Sequence, residues 1–148
     1  QCGANQGAVS FFGRNLLSTV ALVEEFEATA EVAAIFADIR ATRKSDFVNN
    51  FWRGMANHPD LLDRTWAQLK AVMAGDTVLG PVVQEMIYIA VSTANGCQYC
   101  VHSHTAAARA KGMTDAQHAE LLAVIGLAAQ TNHLVTAMQL PVDEAFLR

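Results

Sequence analysis

Residues 80–113 read GPVVQEMIYIAVSTANGCQYCVHSHTAAARAKGM and predict two helices joined by a tight turn. Pro81 suits the first position of a helix, where no amide hydrogen is needed. Gly112 suits the position just after a helix ends. Between them, Asn95 and Gly96 are typical of a turn that closes the first helix. We therefore expect an antiparallel helical hairpin here.

The second helix of this hairpin carries two thiols and an imidazole on one face. Cys97, Cys100 and His104 follow each other at three- and four-residue spacing, so they project from the same side of a helix. Cys97 stands in the first turn, where unpaired amide hydrogens and the positive end of the helix dipole stabilise a thiolate. His104, one turn after Cys100, can take up or stabilise the proton of that thiol. The two effects favour different cysteines, so the spacing leaves the nucleophile open.

The first helix of the hairpin contributes a carboxylate, Glu85, with Tyr88 and Ser92 on the same stripe. At ~1.5 Å per residue, Glu85 lies ~15 Å before the turn and His104 ~12 Å after it. A lone glutamate on a helix is more often a solvated surface charge. Because the hairpin brings these two residues nearly level, we expect Glu85 to orient an imidazole that serves a thiol.

Other chemistry is possible for the same residues. The two thiols could be buried structural cysteines, or Cys97, Cys100, His104 and Glu85 could bind zinc. A structural zinc site usually adds a second Cys or His pair, which the sequence lacks. Covalent haem attachment requires a histidine directly after the second cysteine, where Val101 stands. We expect no metal and no organic cofactor.

The rest of the chain is also helical. No segment shows the two-residue alternation of a half-buried strand, so we predict an all-α fold of about six to seven helices. Residues 1–18 are poorly patterned and are predicted to be a tail or added segment, whereas residues 19–148 form one helical domain. A capping box of Thr114 and Gln117 opens a helix that is apolar on most of its circumference, which we expect to be central. A separate last helix is expected around residues 133–139.

Three amphipathic helices precede the hairpin. Apolar residues at three- and four-residue spacing mark them, and Ser45 and Asp60 are predicted to cap the second and the third. The predicted core positions are Val32, Ile35, Phe36, Ile39, Phe47, Val48, Phe51, Trp52, Met55, Leu61, Leu62, Trp66, Leu69, Val72 and Met73.

Composition narrows the function. The 148 residues are 52% hydrophobic and 16% charged, against about 25% charged in a usual domain, which favours a homo-oligomer. The net charge of -4 provides no basic field for nucleic acid. Apolar stretches such as residues 121–129 are shorter than the roughly 18 residues of a membrane span, so none is expected. Three cysteines, with Cys2 apart from the other two, form no disulfide framework and indicate a reducing, cytoplasmic location.

These features resemble the alkylhydroperoxidase D-like (AhpD-like) branch of the carboxymuconolactone decarboxylase superfamily, from about residue 19 to the C-terminus. The matching positions are Glu85, Cys97, Cys100, His104 and the Ala-rich stretch to Lys111-Gly112-Met113. Upstream, Phe51-Trp52-Arg53 to Ala56-Asn57-His58-Pro59 resembles a segment of the peroxidase-related members.

The resemblance implies the AhpD-like helical fold with the C-x-x-C at the start of a central helix, assembly as trimers or hexamers, and thiol-dependent reduction of peroxides. It implies that Cys100 attacks a small-molecule peroxide and becomes a sulfenic acid, and that Cys97 resolves it to a disulfide. Glu85 and His104 would form the proton relay, and a dithiol or protein reductant would close the cycle. AhpD proper has a histidine immediately before the second cysteine, where this chain has Tyr99. A phenol is a poorer proton shuttle at neutral pH, so we expect Tyr99 to be an accessory residue at most.

Other functions stay open. A carboxymuconolactone decarboxylase-type lyase would share the fold, but such members do not depend on a C-x-x-C. A disulfide reductase would use the same dithiol on another partner. A non-enzymatic redox-responsive protein would be oxidised stoichiometrically, without turnover.

Overall fold

The computed structural model describes residues 18–147, and these residues form α-helices and short 3-10 turns, with no strand among them. The six helices are α1 (Ala30–Arg43), α2 (Asn50–Met55), α3 (Pro59–Met73), α4 (Pro81–Ala94), α5 (Gln98–Ala110) and α6 (Asp115–Met138). The all-α prediction is confirmed.

The chain divides into two compact units, Gln1–Gly75 and Asp76–Arg148. The predicted tail of residues 1–18, with Cys2, lies outside the described residues except for Ser18. The single domain expected over residues 19–148 stays a prediction.

Apolar side chains of α1, α2 and α3 form the core of the first unit. Ile39 and Leu62 are fully buried. Trp52 packs edge to face against Trp66, with ring centroids 5.3 Å apart. The Trp66 indole donates a hydrogen bond of 2.6 Å to Asp38, so its N–H is satisfied. These contacts join the three helices.

The segment 51–59, noted above for its resemblance, holds the extended chain that precedes α1. Asn57 donates through its side-chain amide to the carbonyl oxygen of Ala21 at 2.7 Å. Arg53 donates to the carbonyl oxygen of Val23 at 3.3 Å and receives a backbone hydrogen bond from Val23 at 3.2 Å. The polar residues of this segment therefore anchor backbone within the first unit.

Two predicted caps are wrong. The Ser45 hydroxyl accepts a hydrogen bond from the Phe47 amide at 3.2 Å, but α2 begins later, with Asn49 at its N-cap position. Helix α3 begins at Pro59, one residue before the predicted cap Asp60. Pro59 can start the helix because the first helical position needs no amide hydrogen.

Several predicted core positions of the first unit are exposed to solvent. Leu62, Trp66 and Leu69 recur at four- and three-residue spacing and face the core. Leu61 is one residue out of this register and is therefore rotated away by about 100°. The exposed positions are Phe47, Phe51, Leu61 and Val72.

Helices α4 and α5 form the predicted hairpin in the second unit. Gly96 has a φ of 67° in the turn, a conformation that favours glycine. The Cys97 amide then bonds back to the Ser92 carbonyl oxygen at 2.9 Å. Ile89 of α4 and Ala108 of α5 are buried together in the small core of this unit. The hairpin thus places the polar stripe of α4 beside the thiols.

Helix α6 begins as predicted but differs from expectation in length and burial. The Thr114 hydroxyl accepts from the Gln117 amide at 3.1 Å, and the Gln117 side chain accepts from the Thr114 amide at 2.9 Å, which confirms the capping box. The helix is continuous to Met138, so the separate helix around residues 133–139 is wrong. No proline or glycine stands between Gly126 and Pro141 to interrupt it.

The prediction that this helix is central is also wrong for the chain by itself, because none of its residues is buried. A helix that is apolar on all sides must be buried by other apolar surface, but its sequence pattern does not indicate whether that surface belongs to the same chain or to another molecule. Its 24 residues contain a window with a mean hydropathy of 1.4, long and apolar enough to cross a membrane. The argument from short apolar stretches therefore fails at α6, although one such helix is weak evidence for a membrane protein.

Candidate active site

Glu85 of α4 lies between the side chains of His104, on α5, and Lys111, the C-cap residue of α5. Its carboxylate oxygen Oε2 is 2.6 Å from His104 Nδ1. Its other oxygen, Oε1, accepts a hydrogen bond of 2.6 Å from Lys111 Nζ. The closeness of Glu85 and His104 expected from the helix rise is therefore present, and each carboxylate oxygen has its own donor.

The environment keeps Glu85 ionised. Burial alone raises the pKa of its carboxyl group, but the hydrogen bonds from His104 and Lys111 and the positive charge of Lys111 outweigh it, so the pKa lies below the usual value. A carboxylate can only accept hydrogen bonds, so Nδ1 of His104 carries a hydrogen. This leaves Nε2 of a neutral imidazole free to accept a proton.

Tyr88, one turn after Glu85, fixes the plane of the imidazole. Its ring stacks on that of His104, with centroids 3.6 Å apart and an angle of 17° between the planes. Burial raises the pKa of Tyr88, and the nearby negative charge of Glu85 raises it further. The phenol therefore stays protonated and acts as a neutral platform.

The two thiols are in direct contact. Cys97 is the N-cap residue of α5, and its sulfur accepts a hydrogen bond of 3.4 Å from the Cys100 amide. The sulfur atoms of the two free cysteines are 2.7 Å apart, and both residues are half-buried. The C-x-x-C motif thus has one sulfur at the helix end and the other within the first turn.

The contact between the two sulfur atoms shifts the pKa values of Cys97 and Cys100 in opposite directions. The hydrogen bond from the Cys100 thiol, and then the one from its amide, lower the pKa of Cys97. Burial, together with the Cys97 sulfur, raises the pKa of Cys100 to about 11, although a hydrogen bond with the Ser92 side chain partly offsets this. Cys97 therefore ionises first, and the shared proton belongs to Cys100.

The spacing of the sequence identified Glu85, Cys97, Cys100 and His104 as site residues, but Lys111 was not predicted to be functional. It follows His104 by seven residues, two helical turns, so the same spacing rule would have placed it on the shared face. Tyr88 and Ser92 were recognised only as neighbours of Glu85 on one stripe. Tyr99, between the cysteines, is exposed at the surface, and its accessory role stays a prediction.

The zinc alternative fits the geometry poorly. In residues 18–147 no group of three or more His, Cys, Asp or Glu side chains is arranged to hold a metal ion. A metal ion on Glu85 would also have to displace His104 or Lys111 from the carboxylate.

Comparison with known proteins identifies the family of the chain. The model of the carboxymuconolactone decarboxylase family matches residues 59–143, which include both helices of the hairpin. The chain is similar to the crystal structure of the alkylhydroperoxidase AhpD core from Rhodospirillum rubrum, with 69% sequence identity and a TM-score of 0.87, over 89% of this chain and 98% of that chain. No curated protein matches the chain. The chain therefore belongs to the carboxymuconolactone decarboxylase family, as an AhpD-like member with the corresponding helical fold.

Proposed function

We propose that this protein is a thiol-dependent peroxide reductase that cycles its C-x-x-C between dithiol and disulfide. The observation that carries the proposal is the contact of two free thiols on the helix that also presents His104, paired with the buried Glu85. The 69%-identical relative, an alkylhydroperoxidase AhpD core, supports the same activity. A small-molecule peroxide is the substrate, and neither a metal nor an organic cofactor is needed.

In the first step, the Cys100 sulfur attacks one oxygen of the peroxide. An S–O bond forms, the O–O bond breaks, and Cys100 becomes a sulfenic acid while an alcohol or water leaves. Because the pKa of Cys100 is about 11, its thiol needs a general base. His104, oriented by Glu85, takes the thiol proton at Nε2 and returns it to the leaving oxygen.

In the second step, the Cys97 thiolate attacks the oxidised sulfur of Cys100. The S–S bond forms, the S–O bond breaks, and the leaving hydroxide takes a proton from the solvent to become water. The lowered pKa of Cys97 suits this role, because the attacking thiolate is already present. An external dithiol, small or carried by a protein, then supplies two electrons and two protons to restore both thiols. A cytoplasmic location would provide such a reductant.

A second candidate function is a disulfide reductase, which the lowered pKa of Cys97 favours. In that case the Cys97 thiolate attacks the disulfide of a partner first, and Cys100 releases the partner by closing the internal disulfide.

Steady-state peroxide consumption with excess dithiothreitol tests these alternatives in wild type, Cys100→Ser and Cys97→Ser. We expect Cys100→Ser to abolish turnover, and Cys97→Ser to accumulate a sulfenic acid that dimedone traps. The exposed residue His102 gives a matched control, since His102→Gln should leave turnover unchanged whereas His104→Gln should reduce it.

The other outcomes identify the alternatives. Reduction of a model disulfide with no peroxide turnover, and a mixed disulfide trapped in Cys100→Ser, would favour the disulfide reductase. Loss of two thiols per chain without turnover would favour the redox-responsive protein. No thiol loss at all would contradict the redox function and return the lyase to consideration.

We also propose that the chain assembles with copies of itself, as a trimer or hexamer. Leu122, Leu127, Leu134 and Met138 of α6 are each more than half exposed in the single chain. A row of large apolar side chains along one helix marks an interaction surface in a protein of this size.

A further inference from the structure

Lys111 is the one charged member of the Glu85 cluster that the proposed cycle does not use. Its ammonium group contacts Glu85 Oε1, the oxygen that His104 leaves free. Lys111 is also the C-cap residue of α5, and its amide bonds to the carbonyl oxygens of Ala107 and Ala108. The end of the helix therefore holds the backbone from which the ammonium group reaches the carboxylate.

The need for this cation follows from the burial of Glu85. The Glu85 side chain is 5% exposed, whereas that of Lys111 is 31% exposed. A buried carboxylate with His104 as its only partner would favour a second proton on the imidazole, because a contacting positive charge is what stabilises a buried anion. An imidazolium has no free lone pair and cannot take the proton of Cys100.

We propose that Lys111 is a positioning residue. Its ammonium group balances the negative charge of the ionised Glu85 carboxylate, so that His104 stays a neutral imidazole with Nε2 free to accept the thiol proton. The catalytic use of this neutral imidazole rests on the proposed function. The charge state of His104 does not, and it is measurable without peroxide.

The other ionisable groups around His104 do not substitute for Lys111. From α4, Glu85 contacts the imidazole at Nδ1 and the neutral Tyr88 stacks on it. On α5, Cys100 precedes His104 by one turn. Asp115, at the start of α6, pairs instead with Arg109 at 3.1 Å. Among the described residues, Lys111 is the cation available to compensate Glu85.

The expected effect follows from the distance between the two cationic groups. Two contacts of 2.6 Å in series place the ammonium nitrogen at most about 7 Å from Nδ1, across the carboxylate. At about 7 Å, removing a unit charge shifts a titration by about 1.7 pH units at an effective dielectric of about 20 and by about 0.4 at that of water, so a partly exposed ammonium group corresponds to roughly one pH unit.

The test is a titration of His104 by NMR in the reduced, full-length protein, with the signal assigned from His104→Gln. Lys111→Met removes the charge and the hydrogen bond, Lys111→Gln keeps a hydrogen bond donor without the charge, and Lys111→Arg keeps the charge. Arg109→Met is the matched control, because it removes a cation from the same helix end but away from Glu85. We expect the midpoint of the His104 titration to lie roughly one pH unit higher in Lys111→Met and Lys111→Gln than in wild type. The midpoint should be unchanged in Lys111→Arg and Arg109→Met.

Peroxide kinetics give an independent readout. The acid limb of kcat/KM should move to higher pH in Lys111→Gln, with a loss of up to about tenfold near pH 6 that disappears at high pH. A merely structural role for Lys111 would lower the rate equally at every pH. Unchanged His104 titration in a folded Lys111→Gln or Lys111→Met variant would overturn the proposal. A shifted titration in a protein whose wild type lacks peroxide turnover would support the role of Lys111 and reject the proposed function.

Discussion

Replacing Glu85 by glutamine tests whether an ionised carboxylate organises the site. The substitution keeps the shape of the side chain but exchanges one acceptor oxygen for an amide donor. The remaining oxygen can still accept from Lys111, and the new amide then faces His104. The imidazole can satisfy this donor only by moving its hydrogen from Nδ1 to Nε2, which removes the base from the side needed by Cys100.

The cost to stability follows from the same contacts. Hydrogen bonds to charged groups contribute about 1.5–3 kcal/mol, and neutral ones about 1 kcal/mol. Both contacts lose their charged acceptor, while the partly exposed Lys111 regains some hydration. We therefore expect Glu85→Gln to lower the free energy of unfolding by about 2 kcal/mol at pH 7.

The pH dependence of this loss has a definite sign. The pKa of Glu85 is lower in the folded protein than the ordinary value of 4.5. Its contribution is therefore fully present above pH 4.5, and it is lost as the pH falls through the folded pKa. The part of the difference between wild type and variant that comes from the Glu85 charge should shrink by up to about 1.4 kcal/mol per pH unit as the pH falls below 4.5.

Urea unfolding followed by circular dichroism, at one protein concentration and several pH values, measures this difference. Glu120→Gln, at an exposed position of α6, is the control and should change stability by less than about 0.5 kcal/mol. Peroxide turnover of Glu85→Gln should fall at least about 100-fold if Nε2 is the base. A stability difference that stays constant from pH 7 down to pH 3 would refute the charged role of Glu85.

Three further substitutions test other contacts. Tyr88→Leu should lower kcat/KM for a peroxide about fivefold, because stacking on His104 contributes about 0.5–1.5 kcal/mol. Tyr88→Phe keeps the aromatic ring and should retain the rate. Equal losses of kcat/KM in the two variants would contradict a stacking role. Trp66→Phe should lower the free energy of unfolding by about 1 kcal/mol, since it removes the hydrogen bond to Asp38, and an unchanged denaturation midpoint would contradict this. Leu127→Glu should reduce the molar mass measured by light scattering, because a charge on the exposed apolar face of α6 opposes association; an unchanged mass would place the interface elsewhere.

The hairpin was predictable because its ends are marked by proline and glycine, which meet backbone requirements that few other residues meet. Pro81 begins α4 and Gly112, with a φ of 102°, follows α5, as expected from the sequence. The Thr114 capping box also lies where it was predicted. Such positions are decided locally, by missing amide hydrogens or a left-handed conformation, so no knowledge of the packing is needed.

Burial was less predictable, because it depends on packing between segments. The apolar circumference of α6 predicts a central helix, but no residue of that helix is buried in the single chain. Phe47 is apolar and yet exposed, since it lies in the loop before α2 rather than on a helix face. Periodicity identifies an apolar face, whereas the surface that covers this face depends on other segments or on other chains.

The order in which the two thiols ionise was also beyond the sequence. The helix end favours a Cys97 thiolate and the imidazole favours one at Cys100, so spacing alone cannot rank them. In the structure the hydrogen bond from the Cys100 thiol lowers the pKa of Cys97, whereas burial and the contact with the Cys97 sulfur raise the pKa of Cys100. Attack on a peroxide by Cys100 then requires His104 as a base, whereas attack on a disulfide by Cys97 does not. The same cluster can therefore favour either reaction, and the relay of Glu85 and His104, with Lys111 as its positioning residue, matters only for the first.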